Sequence, residues 1–146
     1  MTLAVTIIFG LNVLWFAMGF RFFSLTPKVA AKVLIPRSAR ESPLFTTMAA
    51  AVRFLGGMNL ALSLFAALIL VFRELFPDPQ QIALFAVVFA VAHGSQFAYN
   101  VPVLLGGGRQ GEALWPVRSG PMLFIFVVDC VLMLANGALA AVLWLS

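Results

Sequence analysis

The chain has 146 residues, of which 63% are hydrophobic and 10% are charged, with a formal net charge of +4. Its mean hydropathy of +1.08 is more apolar than a water-soluble domain of this length can hide, which excludes a soluble globular fold. The single cysteine, Cys130, excludes an internal disulfide and a CxxC redox pair. The basic residues lie between apolar blocks, so their charge indicates membrane orientation and no nucleic-acid partner.

Four long apolar blocks predict four transmembrane helices, at about residues 3–23, 45–72, 82–105 and 122–145. Each block supplies the roughly 20 residues that a helix needs to cross a hydrocarbon core of about 30 Å. Lipid admits only helices or closed barrels, and the alternation typical of barrel strands is missing from these blocks. We therefore predict an all-α fold in which residues 1–146 form a single transmembrane domain, an integral membrane four-helix bundle.

The distribution of basic residues predicts the orientation of the chain. Arg73 is the one basic residue of the middle loop, whereas seven flank the other two connections: Arg21, Lys28, Lys32, Arg37, Arg40, Arg109 and Arg118. By the positive-inside rule, loops 24–43 and 106–120 are cytoplasmic and both termini are periplasmic. The expected location is a bacterial inner (plasma) membrane.

The first of these connections predicts a short amphipathic helix at the membrane interface. Thr26 is a candidate hydroxyl cap, Pro27 suits the first helical position, and Pro36 ends the segment. Lys28 and Lys32 are four residues apart and would lie near anionic head groups. The alternative is an irregular basic loop. The second connection, 106–120, is glycine-rich, and we expect it to be mobile with Trp115 as an interfacial anchor.

Polar residues inside the apolar blocks mark the candidate functional site. They are two charged residues, one histidine and five amides: Arg53, Asp129, His93, Asn12, Asn59, Gln96, Asn100 and Asn136. A charged group at mid-membrane costs roughly 2.5–3.5 kcal/mol on insertion scales, so such groups normally face the bundle interior and find partners.

Helical spacing and depth predict that these residues converge. His93, Gln96 and Asn100 form one stripe of the third span. At 1.5 Å per residue, Arg53, His93 and Asp129 come to about the same depth in the cytoplasmic half. We therefore predict an ion pair between Arg53 and Asp129, with His93 and Gln96 hydrogen-bonded nearby.

This predicted polar cluster allows three interpretations. Its groups could satisfy each other and fix the order of the helices. They could instead line a cavity open to the cytoplasmic leaflet, where His93 and Asp129 bind a polar head or move a proton. The third interpretation makes His93 an axial ligand of haem or pigment, although one histidine cannot supply a bis-histidine site. The sequence identifies no metal site, no cofactor and no catalytic residue.

Two short stretches carry a resemblance to known families. They are Arg53-Phe-Leu-Gly-Gly-Met-Asn-Leu and, after a short polar loop, Ala92-His93-Gly-Ser-Gln96-Phe97. They resemble the DoxX-like four-span bacterial membrane proteins, whose second helix tends to start with an Arg and a Gly pair. They also resemble the four-span sterol-biosynthesis scaffold proteins, in which an Arg-x-x-Gly helix precedes a helix with a His and a nearby acid. Here Gln96 stands where that acid is expected.

The resemblance covers about residues 50–100. The DoxX-like resemblance implies a subunit or partner of membrane redox machinery, and the sterol-type resemblance implies a tether for lipid enzymes. Neither implies a catalytic residue in this chain.

Three functions follow as expectations, and whether the protein is an enzyme stays open. The first is a non-catalytic subunit or scaffold of a membrane redox or lipid-metabolism complex. The second is a lipid- or quinone-binding membrane enzyme that uses Arg53, His93 and Asp129. The third is a small proton-coupled transporter, although the first span offers only Asn12 where four-span multidrug exporters have an acid.

The expected partners are membrane lipids, a quinone or another hydrophobic small molecule, and other membrane proteins or further copies of the chain. A cavity that opens between helices beside His93 would favour ligand binding. A filled core in which Arg53 pairs with Asp129 would favour scaffolding.

Overall fold

A computed structural model describes residues 2–106 and 115–146, and these residues contain helices and no strand. The elements in chain order are α1 (Thr2–Phe20), a π-helical turn (Arg21–Leu25), α2 (Pro27–Leu34), α3 (Pro43–Val71), α4 (Pro79–Leu105) and α5 (Gly120–Trp144), with 3₁₀ turns at Arg37–Ala39 and Arg73–Leu75. Four helices are long and apolar enough to cross a membrane: α1 with its π-helical turn, α3, α4 and α5. The predicted all-α four-helix fold is confirmed. Most of the predicted mobile loop 106–120 lies outside the described residues.

Proline and polar caps define where the long helices begin. Pro43 and Pro79 each take a first position of a helix, where the missing backbone N–H costs nothing. The Ser42 hydroxyl accepts a hydrogen bond from the Leu44 N–H at 3.3 Å, and the Asp78 carboxylate accepts one from the Gln80 N–H at 2.8 Å. These bonds satisfy backbone donors that the first turn leaves free.

The predicted amphipathic helix is present as α2, and it excludes the alternative of an irregular loop. The proposed role of Thr26 as its hydroxyl cap is wrong, because the hydroxyl donates backwards to the Phe22 carbonyl at 3.0 Å. α2 packs against α3 and the π-helical turn, burying Ala30 and Ala31. Its lysines are exposed on the other side.

Arg40 caps the C-terminal end of α2. Its guanidinium donates to the Lys32 carbonyl at 2.6 Å and to the Ile35 carbonyl at 3.1 Å. The last carbonyls of a helix have no partner within the helix, and a basic side chain there also complements the helix dipole. Arg40 therefore stabilises α2.

The membrane helices form two antiparallel pairs, α1 with α3 and α4 with α5. Within the first pair the Ser63 hydroxyl donates to the Val13 carbonyl at 2.9 Å. The two pairs meet through aromatic packing: Phe9 contacts Phe89 edge-on at 5.3 Å between ring centroids, and Phe65 contacts Phe89 at 5.7 Å. The seam between the pairs is where the polar residues lie.

The contact between α3 and the π-helical turn sets the level of α3 in the bundle. The Ser24 hydroxyl donates to the Arg53 carbonyl at 3.1 Å. Gly56 lies so close that a Cβ there would be 2.6 Å from the Ser24 nitrogen. Ser24 belongs to the last turn of the first span, so the residues of α3 before Arg53 lie beyond the end of that span, alongside α2.

Candidate functional site

Four polar side chains meet in the middle of the bundle, and we call them the polar centre: Asn12, His93, Asp129 and Asn136. They come from α1, α4 and α5, and their exposed fraction is 0% for each. Burial without partners would be costly for every one of these groups, so their hydrogen bonds determine the local structure.

His93 joins the three helices. Its Nδ1 lies 2.9 Å from Oδ1 of Asp129, and its Nε2 lies 2.9 Å from Oδ1 of Asn12. The same Asp129 oxygen accepts a hydrogen bond from the indole Nε1–H of Trp15 at 3.0 Å. Phe16 stacks on the imidazole, with 4.7 Å between ring centroids and an interplanar angle of 18°. The imidazole is therefore held on both edges and covered on one face.

Asn12 and Asn136 form a reciprocal amide pair between α1 and α5. Nδ2 of Asn12 donates to Oδ1 of Asn136 at 2.9 Å, and Nδ2 of Asn136 donates to Oδ1 of Asn12 at 3.1 Å. Each amide nitrogen also donates to a backbone carbonyl four residues earlier, that of Ile8 or Leu132. Because a carbonyl only accepts, these backbone contacts fix which amide atom is nitrogen and which is oxygen.

The fixed orientation of Asn12 determines the protonation pattern of His93. Nε2 faces an amide oxygen, so Nε2 must carry a hydrogen and donate it. In a neutral imidazole the lone pair is then on Nδ1 and faces Asp129. Asp129 must therefore be protonated and donate its hydrogen to Nδ1. If Nδ1 carries a hydrogen as well, the imidazole is a cation and Asp129 a carboxylate. In both cases one proton lies between Nδ1 and Oδ1, and the pair has no net charge.

The second oxygen of Asp129 has no such partner. Oδ2 is buried and makes no hydrogen bond to the described residues, whereas Oδ1 takes part in two. Both ring nitrogens of His93 are engaged as well, which leaves no free lone pair for an axial metal ligand. Among the residues that the structure describes, no three metal-ligating side chains lie close enough together to hold an ion.

The predicted ion pair between Arg53 and Asp129 is wrong. Asp129 pairs with His93, and Arg53 is exposed on the surface of α3. Arg53 lies level with Ser24, which is 12 residues beyond Asn12, or about 18 Å along the helix axis at 1.5 Å per residue. The predicted depth was measured from the start of the apolar block, but α3 starts well outside the bundle.

The remaining predicted residues lie in two other places. Asn100 holds the chain that leads into α5, since its side-chain oxygen accepts a hydrogen bond from the Trp115 indole at 2.7 Å. Asn59 and Gln96 lie on the inner side of a cavity. Asn59 donates to the Leu55 carbonyl at 2.8 Å and lies against Gly19, where a Cβ would be 2.7 Å from its Cγ.

The cavity has a volume of about 170 Å³ and lies at the seam between the two helix pairs, towards the end that carries α2. Its lining is almost entirely apolar and comes from all four membrane helices and the π-helical turn: Trp15, Met18, Gly19, Phe22, Phe23, Asn59, Gln96, Pro121, Phe124 and Ile125. The exposed members, Met18, Pro121 and Phe124, lie on α1 and at the start of α5. The cavity therefore opens sideways between these two helices.

Trp15 connects the cavity with the polar centre, because its ring lines the cavity while its N–H donates to Asp129. Sequence reasoning missed this residue. The available signal was its position three residues after Asn12 and four before Gly19, on the inner stripe of α1. An indole N–H can only donate a hydrogen bond. It therefore pairs more readily with an acid than with an amide oxygen that already accepts a hydrogen bond.

The fold and the site define this chain as a four-helix membrane protein with a buried polar centre and a lateral cavity. No family model, no curated protein and no solved structure matches the chain. The resemblance to the DoxX-like and sterol-scaffold families stays a prediction.

Proposed function

We propose that this protein binds a membrane-soluble small molecule of the quinone or lipid class in its lateral cavity. The observation that supports the proposal is the cavity itself, which opens sideways between α1 and α5 and has two amides on its inner side. A ligand reaching the site from the lipid would not cross water. Lateral openings of this kind suit molecules that partition into the bilayer.

The size of the cavity limits what part of a ligand can enter. An apolar cavity of about 150 Å³ accommodates a benzene ring in an engineered protein, and this cavity of about 170 Å³ is of similar size. A ring, or a few carbons of a chain, therefore fills it. The rest of a quinone or lipid would pass between Met18 and Phe124 into the membrane.

The chemistry of the walls favours a ring with oxygen substituents over a bare chain. Phe22, Phe23 and Trp15 offer aromatic surface, and Gln96 and Asn59 offer amide groups within an otherwise apolar lining. A carbonyl or hydroxyl of the ligand could hydrogen-bond to these amides, which fixes its orientation. The His93–Asp129 pair does not line the cavity, so we propose binding without a chemical step.

Binding is expected to appear in the fluorescence of Trp15. In a Trp115→Phe/Trp144→Phe background, Trp15 is the remaining indole, and decyl-benzoquinone should quench it saturably, because a bound quinone ring would lie against the indole. Decane, which lacks the ring, should quench nothing. The proposal would be contradicted if the quinone did not quench Trp15 and also displaced no co-purified lipid, as measured by mass spectrometry.

Two variants test the placement of the ligand. Gln96→Leu should weaken quinone binding about fivefold, the contribution of one hydrogen bond, whereas Ser95→Leu at the exposed neighbouring position should have no effect.

Ile125→Phe should fill the cavity and abolish saturable quenching. Its control is Val127→Phe, because Val127 faces away from the cavity. Equal effects of Ile125→Phe and Val127→Phe would place the ligand elsewhere.

A second candidate function is a non-catalytic scaffold or subunit in a membrane redox or lipid-metabolism complex. The supporting observation is that the polar centre is closed and its hydrogen bonds tie α1, α4 and α5 together, as a structural role requires. Co-purification of a stoichiometric membrane protein, with no ligand in the cavity, would favour this function. For either function we propose a bacterial inner membrane with the α2 end on the cytoplasmic side, on the distribution of basic residues.

A further inference from the structure

A positively charged surface lies at the end of the bundle that carries α2, and we call it the basic face. It consists of five exposed basic residues: Arg21, Lys28, Lys32, Arg37 and Arg53. The one ion pair among the described residues is that of His93 with Asp129, so no carboxylate in this part of the chain forms an ion pair with the basic face. Glu41 is the one acidic residue that the described residues place at this end.

Arg53 belongs to this surface because of how α3 packs. The Ser24 hydroxyl donates to the Arg53 carbonyl, which places Arg53 beside the π-helical turn that begins with Arg21. Three residues beyond Ser24, α2 starts and carries its exposed lysines across the end of the bundle. Sequence reasoning placed Arg53 in the core, where it would have neutralised Asp129, and so left it out of any surface site.

Two other basic residues at this end are already engaged. Arg40 donates to carbonyls at the end of α2, and Arg118 donates to the Leu104 carbonyl at 3.1 Å. They stabilise helix ends. The five residues of the basic face have no such contact among the described residues, so their charges are available for a ligand.

Exposed apolar side chains accompany the basic face. Leu25 is 64% exposed, Val29 52% and Leu44 73%. They lie on the π-helical turn, on α2 and at the start of α3, the same elements that carry the cations. A surface in contact with water gains nothing from such apolar exposure, whereas the boundary between head groups and acyl chains accommodates both kinds of side chain.

We propose that the basic face is a binding site for the phosphate head groups of anionic phospholipids. Lys28 and Lys32 contact head groups from α2, Arg53 contacts them from α3, and Leu25 and Val29 enter the acyl region beside them. The opposite end of the bundle has Arg73 together with Glu74 and Asp78, so it carries no comparable excess of positive charge. Anionic lipid is therefore bound at one end only.

The test compares lipid binding to the whole chain in neutral detergent by native mass spectrometry. Dioleoylphosphatidylglycerol should bind more tightly than dioleoylphosphatidylcholine. The triple variant Lys28→Gln/Lys32→Gln/Arg53→Gln should lose about a hundredfold of that preference, since each basic residue near a lipid surface contributes about fivefold. The control Arg73→Gln removes one cation at the other end and should leave the preference unchanged.

Three outcomes would overturn the proposal. The two lipids could bind equally, or Arg73→Gln could reduce the preference as much as a single substitution on the basic face does. Inorganic phosphate could displace the anionic lipid, which would make the surface a site for free anions. An unchanged thermal midpoint of the triple variant, which alters exposed side chains only, shows that lost binding does not come from unfolding.

Discussion

Asp129→Asn is expected to lower the free energy of unfolding by about 1–3 kcal/mol, the cost of leaving a buried hydrogen-bonding group without its partner. A single oxygen of Asp129 faces both the Trp15 indole and Nδ1 of His93. As a carboxylate, this oxygen accepts from both groups. As a carboxylic acid O–H, it donates to His93 and still accepts from Trp15.

An amide cannot satisfy both neighbours in the same way. If its oxygen takes the shared position, His93 must be a cation without a counter-charge, because Nε2 already carries a hydrogen for Asn12. If its nitrogen takes that position, it donates to His93 but faces the Trp15 N–H, which is also a donor. Either orientation loses an interaction that the acid makes.

Trp15→Phe should therefore rescue part of the loss. Without the indole donor, the amide nitrogen of the Asp129→Asn variant can donate to Nδ1 unopposed. In a double-mutant cycle on unfolding in detergent, the double variant should be more stable than the sum of the two single effects allows. Asp78→Asn is the matched control, since Asp78 is a helix cap and asparagine caps equally well. Strictly additive effects, or an Asp129→Asn variant as stable as the wild type, would contradict the proton arrangement.

Gly56→Ala is the second substitution with a large expected effect. The added Cβ would be 2.6 Å from the backbone nitrogen of Ser24, and a backbone atom cannot move aside alone. The first helix pair must separate at this end, at a cost of about 1–3 kcal/mol. Ser24→Gly in the same chain should recover only part of this cost, because the backbone nitrogen stays in place.

Gly57→Ala provides the control for this prediction. Nothing lies within 4 Å of a Cβ at Gly57, so the substitution only improves helix propensity. It should leave the thermal midpoint unchanged or raise it, since alanine is favoured over glycine by about 1 kcal/mol within a helix. Similar midpoints for the two alanine variants would show that the π-helical turn and α3 do not approach closely at Gly56.

Composition and the length of the apolar blocks were enough to predict the four spans, and helical stripes were enough to predict that Asn12, His93, Asp129 and Asn136 face inward. Those properties are local to each helix. The relative height of two neighbouring helices along the bundle axis is not a local property, and Arg53 shows the consequence. Its depth depends on how far α3 extends beyond α1, which the contact of Gly56 with Ser24 determines.

The hydrogen bond from Trp15 to Asp129 and the cavity were missed for a related reason. Its spacing from Asn12 and Gly19 places Trp15 on the inner stripe of α1, but this spacing does not show that the indole N–H points at an acid. The lining of the cavity comes from five separate elements. No single segment of sequence contains that information.

The proton shared by His93 and Asp129 has a consequence for how the protein experiences the membrane voltage. A single charge moved across the whole membrane changes energy by about 2.3 kcal/mol per 100 mV. The pair has no net charge, and its proton can travel no further than the 2.9 Å between Nδ1 and Oδ1. That is at most about a tenth of a hydrocarbon core of roughly 30 Å. A proton that moves between these two atoms therefore crosses at most about a tenth of the membrane voltage.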